Sequence, residues 1–392
     1  MTASTPYVYL DHNATTPVRP EVLEAMLPFL KGEFGNPNSV HAAGQRARRA
    51  VERAREQAAA LIGCAPAEVV FTGGGSEADS AALCGAAQAA WNASAGRRRH
   101  LVVSTVEHEA VLGAARQLAA RGFELSWVGV DAACRVDPAA VAAALRPETC
   151  LVSVMAANNE VGTLQPVREL AALCRSRGVL FHCDAVQAAG KVPLEFSAAG
   201  VDLMALSGHK LNAPKGVGAL AVRRGTPLVA LVSGHQEKNR RGGTENVAGI
   251  VAFGAACELA QREQAAHNKE LIALRDRLEA GVLRNPGTRR TVEAADRLPG
   301  TSHFCVSAVD GHSLVVALDL EGVCVSSGPA CSAGATELSH VLKAVGVAEE
   351  WGKGALRVSL GWGSTGADVD RLLSVLPGCL ERLRLASKAG VS

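Results

Sequence analysis

The chain has 392 residues, 48% of them apolar and 20% charged, with a formal net charge of +2. That balance excludes a disordered, highly charged polymer and gives no large electrostatic bias toward nucleic acid or a membrane surface, while the length suffices for two or more domains with sizeable cores. No apolar run reaches the ~20 residues that span a bilayer, the start Met1-Thr2-Ala3-Ser4-Thr5-Pro6 carries no secretion signal, and the 11 cysteines are scattered without a C-x-x-C pair, which predicts reduced thiols in a cytoplasmic protein.

In chain order, Glu68-Val69-Val70-Phe71-Thr72 reads as a strand, followed by the glycine loop Gly73-Gly74-Gly75-Ser76 and a helical stretch from Glu77 to Leu83. Arg97-Arg98-Arg99-His100 reads as a solvated loop with the alternative of an acidic partner, and Leu101 to Ser104 as a strand. Asp137 to Leu145 predicts a helix, Leu151 to Met155 a strand, Val179 to Cys183 a strand with Asp184 at its carboxyl end. Val201 to Leu206 is a further buried strand, closed by Ser207-Gly208-His209-Lys210, and Gly218 to Val222 another. A long helix from about Asn246 to Val282 leaves this region, and Cys324 reads as a strand-core residue. Strands alternating with helices predict an α/β fold, a mostly parallel sheet with helices on both faces, plus a smaller α+β domain.

Three of these features carry chemistry. An amine at the end of a buried strand loses hydration and, as the neutral form, attacks carbonyls to form a Schiff base; the alternative for Lys210 is a loop lysine with its head in water. Asp184 lies where ligands bind in open parallel sheets, beyond the strand carboxyl ends, and a carboxylate there suits a pyridine nitrogen; the alternative is a cap for the next turn. The glycine loop before a helix start makes a phosphate cradle, the alternative being a plain tight turn, and without a following Gly-Lys-Ser/Thr it is no nucleotide loop. Together they point to pyridoxal 5'-phosphate. His182-Cys183-Asp184 holds potential metal ligands, but neighbours on a strand face opposite ways, so no metal is expected.

The blocks Tyr9 to Pro17, Gly35 to His41, Ala157 to Gly162, Ser207 to Lys210, Gly234 to Glu237, Arg241 to Asn246 and Ser326 to Cys331 resemble the pyridoxal-phosphate-dependent cysteine desulfurases, class-V aminotransferase-like proteins, in the branch serving nitrogen fixation and iron–sulfur cluster assembly. The resemblance implies the fold of type I pyridoxal enzymes, with residues 16–260 as the cofactor domain and 1–15 with 261–392 as the small domain, paired as a homodimer. It implies that Lys210 bonds the cofactor aldehyde, that Asp184 partners the ring nitrogen, that Gln187 donates to the phenolic oxygen and that His108 stacks on the ring and moves protons. Gly75, Ser76, Ser207 and His209 correspond to phosphate-binding positions, with Thr244 contributed by the neighbouring subunit. Asn159 corresponds to a position near both the cofactor oxygen and the substrate, Asn13 to one near the substrate, and Arg357 to the clamp for the substrate carboxylate, a task suited to a planar guanidinium.

Cys331, in a polar, glycine-rich segment, is the implied nucleophile: its thiolate takes the sulfur of L-cysteine as a persulfide, leaving L-alanine, and passes it to an acceptor such as an iron–sulfur scaffold or a thiolation pathway. No membrane partner and no direct nucleic-acid partner is expected. Pro329 stands where the family loop has serine, Ala213 where it has glycine, and Gly73 to Ser76 replace a Ser-Gly-Ala-Thr loop. Two other readings remain: a selenocysteine lyase or aminotransferase on the same fold, active without Cys331, and a non-enzymatic sulfur-relay subunit lacking visible absorption.

Overall fold

The computed structural model describes residues 7–293, 296–328 and 338–389. Its centre is a seven-stranded sheet in the order Val69–Thr72, Gly218–Val222, Leu203–Ser207, Leu180–Asp184, Thr149–Ser153, His100–Ser104, Glu124–Val128. Only Gly218–Val222 runs against its neighbours, because the short loop after Leu203–Ser207 returns the chain directly and leaves no room for a parallel crossover. The inner strands read as continuous apolar runs because both faces are covered. Met204 and Leu206 point to one face, with Phe181 and Val152, while Leu203 and Ala205 point to the other, with Leu101 and Leu220.

The expected α/β fold is present, with shifted boundaries. The first helix after the glycine loop begins at Gly75 (Gly75–Ala93), so Gly75 and Ser76 form its first turn. Glu124–Val128, an edge strand of mixed exposure, has no apolar run to announce it. Cys324, expected in a strand core, is only half-buried, because its two-residue strand Val323–Cys324 pairs solely with Val8–Tyr9.

One face of the sheet is covered by helices Ala42–Ile62 and Val247–Val282, which approach closely: a side chain at Gly254 would come within 2.6 Å of the Ala54 Cα. The second helix then passes from the large core, through Phe253, to a separate one, through Leu271 and Leu278. That second core is closed by an antiparallel sheet with Thr301–Val306 between Thr288–Arg290 and Ala355–Ser359.

The loop before the long helix is fixed by one buried ion pair. Glu237, Lys238 and Asn239 all adopt positive φ; Glu237 receives both ends of the Arg55 guanidinium, at 2.7 and 2.8 Å, and the Phe71 N–H at 3.1 Å. Both side chains are enclosed, so removing one leaves the other charge buried without its partner. Glu237→Ala should lower the unfolding free energy by about 3–5 kcal/mol, read from denaturant midpoints at constant m-value; an unchanged midpoint contradicts this role.

Candidate active site

The carboxyl ends of the parallel strands surround a cavity of about 530 Å³. Asp184 and Ser207 are the last residues of their strands, and His108 caps the helix after His100–Ser104, its Nδ1 accepting from Ala110 N. Asn13, Gly75, Ser76, His108, Asn159, Asp184, Gln187, Ser207, His209, Lys210 and Arg357, separated by up to hundreds of residues, all border this one space. Thr244 does not: it lies exposed on the surface. Cys331 and Pro329 lie outside the described residues.

Lys210 follows its strand in a single tight turn, Gly208–Lys210. Its Nζ donates to the carbonyls of Asn13, at 2.5 Å, and Ala14, at 2.7 Å. The Asn13 carbonyl also accepts from Gln187 Nε2 at 2.8 Å. His209, the neighbour of Lys210, contacts Thr15 Oγ1 through Nδ1 at 3.1 Å, and burial pushes its imidazole down to about 4.

The glycine loop has a steric reason. A Cβ on Gly75 would sit 2.8 Å from Val186 Cγ2 and 3.2 Å from the Ser207 Cβ, and one on Gly218 would strike the backbone of Gly74. Gly74 itself, at φ +152°, caps the Gly75–Ala93 helix without a side-chain hydrogen bond. The first N–H groups of that helix thus face the cavity beside Ser76 and Ser207, a cradle for an anion.

The floor of the cavity is acidic. Asp184 accepts from Val186 N at 2.9 Å; burial raises its pKa, against the pull of His108, that N–H and Lys210. Asp79 borders the same cavity, and burial, then Asp184 and Glu107, push it well up. Its Oδ1 has no hydrogen-bond partner among the described residues and lies 3.5 Å from Nε2 of His182, which burial drives down to about 3. Glu107, bonded to Ser104 Oγ and Met155 N, rises to about 8 through burial. Three enclosed carboxyls with raised pKa values suit a ligand that brings a protonated ring nitrogen to Asp184.

At the opposite wall Arg357 is buried. Its Nη2 donates to Asp11 Oδ1 at 2.8 Å and its Nη1 to the Asn159 carbonyl at 3.2 Å, while Nε has no hydrogen-bond partner among the described residues. A guanidinium held on two sides with an unused N–H fits a carboxylate-bearing ligand. The donor set therefore fits pyridoxal phosphate and an amino acid: anion cradle, acid for a ring nitrogen, amine for an aldehyde, guanidinium for a carboxylate.

Asp79, Glu160 and His340 also line the cavity, and Asp11 holds Arg357, yet sequence reasoning singled out none of them. Asp79 had a usable signal, since it lies one helical turn after Gly75 on the same face. Glu160 and His340 had none, because their approach to the cavity depends on long-range packing.

Comparison with known proteins matches this geometry. Residues 8–372 fit the model of the family described as Aminotransferase class-V. "Cysteine desulfurase IscS" of Methanosarcina thermophila is 43% identical over 96% of this chain and 93% of its own length, and a "Cysteine desulfurase" of Cereibacter sphaeroides is 46% identical over 98% of each. A solved structure titled "NIFS-LIKE PROTEIN" superposes with a TM-score of 0.89 at 35% identity, over 96% of this chain and 100% of that one. With the whole cavity wall inside the matched span, the chain belongs to the class-V aminotransferases, and within them to the pyridoxal-phosphate-dependent cysteine desulfurases.

Proposed function

We propose that this protein is a cysteine desulfurase that transfers the sulfur of L-cysteine to Cys331 as a persulfide, releases L-alanine, and supplies sulfur for iron–sulfur cluster assembly or thiolation. The observation that carries the reading is the meeting of Lys210, Asp184 and Arg357 around one cavity that also holds the Gly75–Ser76 cradle.

Pyridoxal phosphate bound there supplies an aldehyde for amine attack and a ring that takes up electron density from the substrate α-carbon. Gly75, Ser76, Ser207 and His209 would hold the phosphate, Asp184 would keep the ring nitrogen protonated, and Gln187 would donate to the phenolic oxygen; all of them border the cavity. Lys210 would hold the aldehyde of that group and, once free, would carry the substrate α-proton, with His108, which borders the same cavity, as a second proton carrier. Arg357, steadied by Asp11 and the Asn159 carbonyl, fixes the substrate carboxylate, with Asn13 and Asn159 around it. The Cys331 thiolate attacks the substrate sulfur; an S–S bond forms, the C–S bond breaks, its electron pair stays on carbon and is protonated, so cysteine and thiol become alanine and persulfide without an outside oxidant.

Residues 16–260 would bind the cofactor and 1–15 with 261–392 the nucleophile segment, in a homodimer acting in the cytoplasm. The exposed Thr244, with Phe34 (83% exposed) and Val40 (92%), supports pairing with a second copy, because apolar side chains at the surface and a site residue outside its own cavity both call for a partner. No helix among the described residues is long and apolar enough to cross a membrane.

Protein supplied with pyridoxal phosphate and L-cysteine should yield alanine and protein-bound persulfide, and Cys331→Ala should lose both while keeping the visible absorption of the bound cofactor. Alanine production that survives Cys331→Ala would sink the persulfide reading. Arg357→Leu should reduce kcat/KM for L-cysteine by about 10²-fold or more, the effect of removing a charge-assisted hydrogen bond to a bound carboxylate, mostly through KM; an unchanged KM would remove Arg357 from substrate binding.

A further inference from the structure

A second lysine enters the same network from behind. Lys191 lies four residues beyond Gln187 in the turn after the Leu180–Asp184 strand, and its Nζ donates to Gln187 Oε1 at 2.8 Å and to Asn13 Oδ1 at 3.2 Å. Those contacts decide how two side-chain amides face. With its oxygen held by Lys191, Gln187 turns its NH2 group to the Asn13 carbonyl, the same oxygen that receives Lys210 Nζ. With its oxygen held likewise, Asn13 directs Nδ2 to the Asn159 carbonyl at 3.2 Å and to Thr301 Oγ1 at 3.0 Å. Asn159 O is also the acceptor for Arg357 Nη1. One amine thus fixes the groups between Lys210 on one side and Arg357 on the other.

We propose that Lys191 is a positioning residue of this site: it locks the Gln187 and Asn13 amides in one orientation and places a second cationic centre behind Lys210. The inference rests on the assignment of Lys210 as the cofactor-bonding lysine. Two neutral carbonyl oxygens receive the Lys191 protons, and the charges that face it, Lys210 and Arg357, are of its own sign; burial, then these two, bring its amine down to about 7. His12 and His209, which also feel Lys191, are pushed toward the neutral form mainly by burial. Cationic Lys191 therefore disfavours a proton on the Lys210 nitrogen, by the same like-charge logic that activates paired lysines.

The test is the pH midpoint of the visible absorption of the enzyme carrying pyridoxal phosphate, measured for the wild type, Lys191→Met and Lys191→Arg. Lys191→Met removes the positive charge and should move the midpoint upward by about half a unit to one unit, the scale of one charge near a partly buried group. Lys191→Arg keeps a permanent charge and should leave the midpoint at or below the wild-type value. Equal midpoints in all three proteins, or an upward shift in the arginine variant as large as in the methionine one, would overturn the proposal; if Lys191→Met does not fold, the direction of the arginine shift alone decides. A wild type that develops no visible band would instead refute the assignment of Lys210, so the two failures are distinct.

Discussion

The backbone carbonyl of Asn13 is the point on which this architecture turns, since it receives both Lys210 Nζ and Gln187 Nε2. It belongs to the short segment that leaves the Val8–Tyr9 strand of the small core and crosses to the large sheet. Asp11 grips Arg357, His12 N and Asn13 N bond to Ser359, and Thr16 bonds to the His209 carbonyl at 2.9 Å. Tyr9 folds the segment on itself by donating to the carbonyls of Asp11 and Thr15. The stretch from Tyr9 to Thr16 therefore ties Arg357, in the Ala355–Ser359 strand, to Lys210, in the turn after Leu203–Ser207, through side-chain and main-chain bonds together, so the group that would hold a substrate carboxylate and the amine that would meet an aldehyde are positioned by one short segment.

The second constraint is electrostatic. Asp79, Glu107 and Asp184 are all buried on one side of the cavity, with burial the leading cause of each raised pKa. Enclosed carboxyls of this kind are unfavourable unless protonated or given a cation. Around them, Ser104 donates to Glu107 and neutral His182 lies beside Asp79, while His108 and Lys210 pull on Asp184 without offsetting its burial. A ring nitrogen that arrives with its proton completes that arrangement, which is why a feature unfavourable for the empty protein is understandable at a cofactor site.

Much of the fold was legible because parallel strands covered on both faces must be apolar throughout; Leu203–Ser207 and Leu180–Asp184 appear in the sequence nearly as they appear in space. Glu124–Val128 was not, because an edge strand carries Glu124 and Ser126 where an inner one would carry valines. At the site, residues that close a strand or start a helix were legible: Lys210, Asp184 and Gly75 each follow a recognisable apolar run, whereas His108 entered only through the family resemblance. Glu160 and Asp11 were not, for their partners lie on other elements, and neither was Lys191, whose role depends on distant Asn13 as well as on nearby Gln187. Lys191 bonds Gln187, four residues earlier, but its link to the rest of the site runs through Asn13, 178 residues away.

Two lysines reach the Asn13–Gln187 network, and the chemistry of the site depends on which of these amines carries the cofactor. Borohydride reduction of the protein loaded with pyridoxal phosphate, followed by proteolysis and mass spectrometry, reads this directly. The account predicts a single phosphopyridoxyl modification on Lys210, abolished in Lys210→Ala. Modification of Lys191 in the wild type, or none at either lysine, would contradict it.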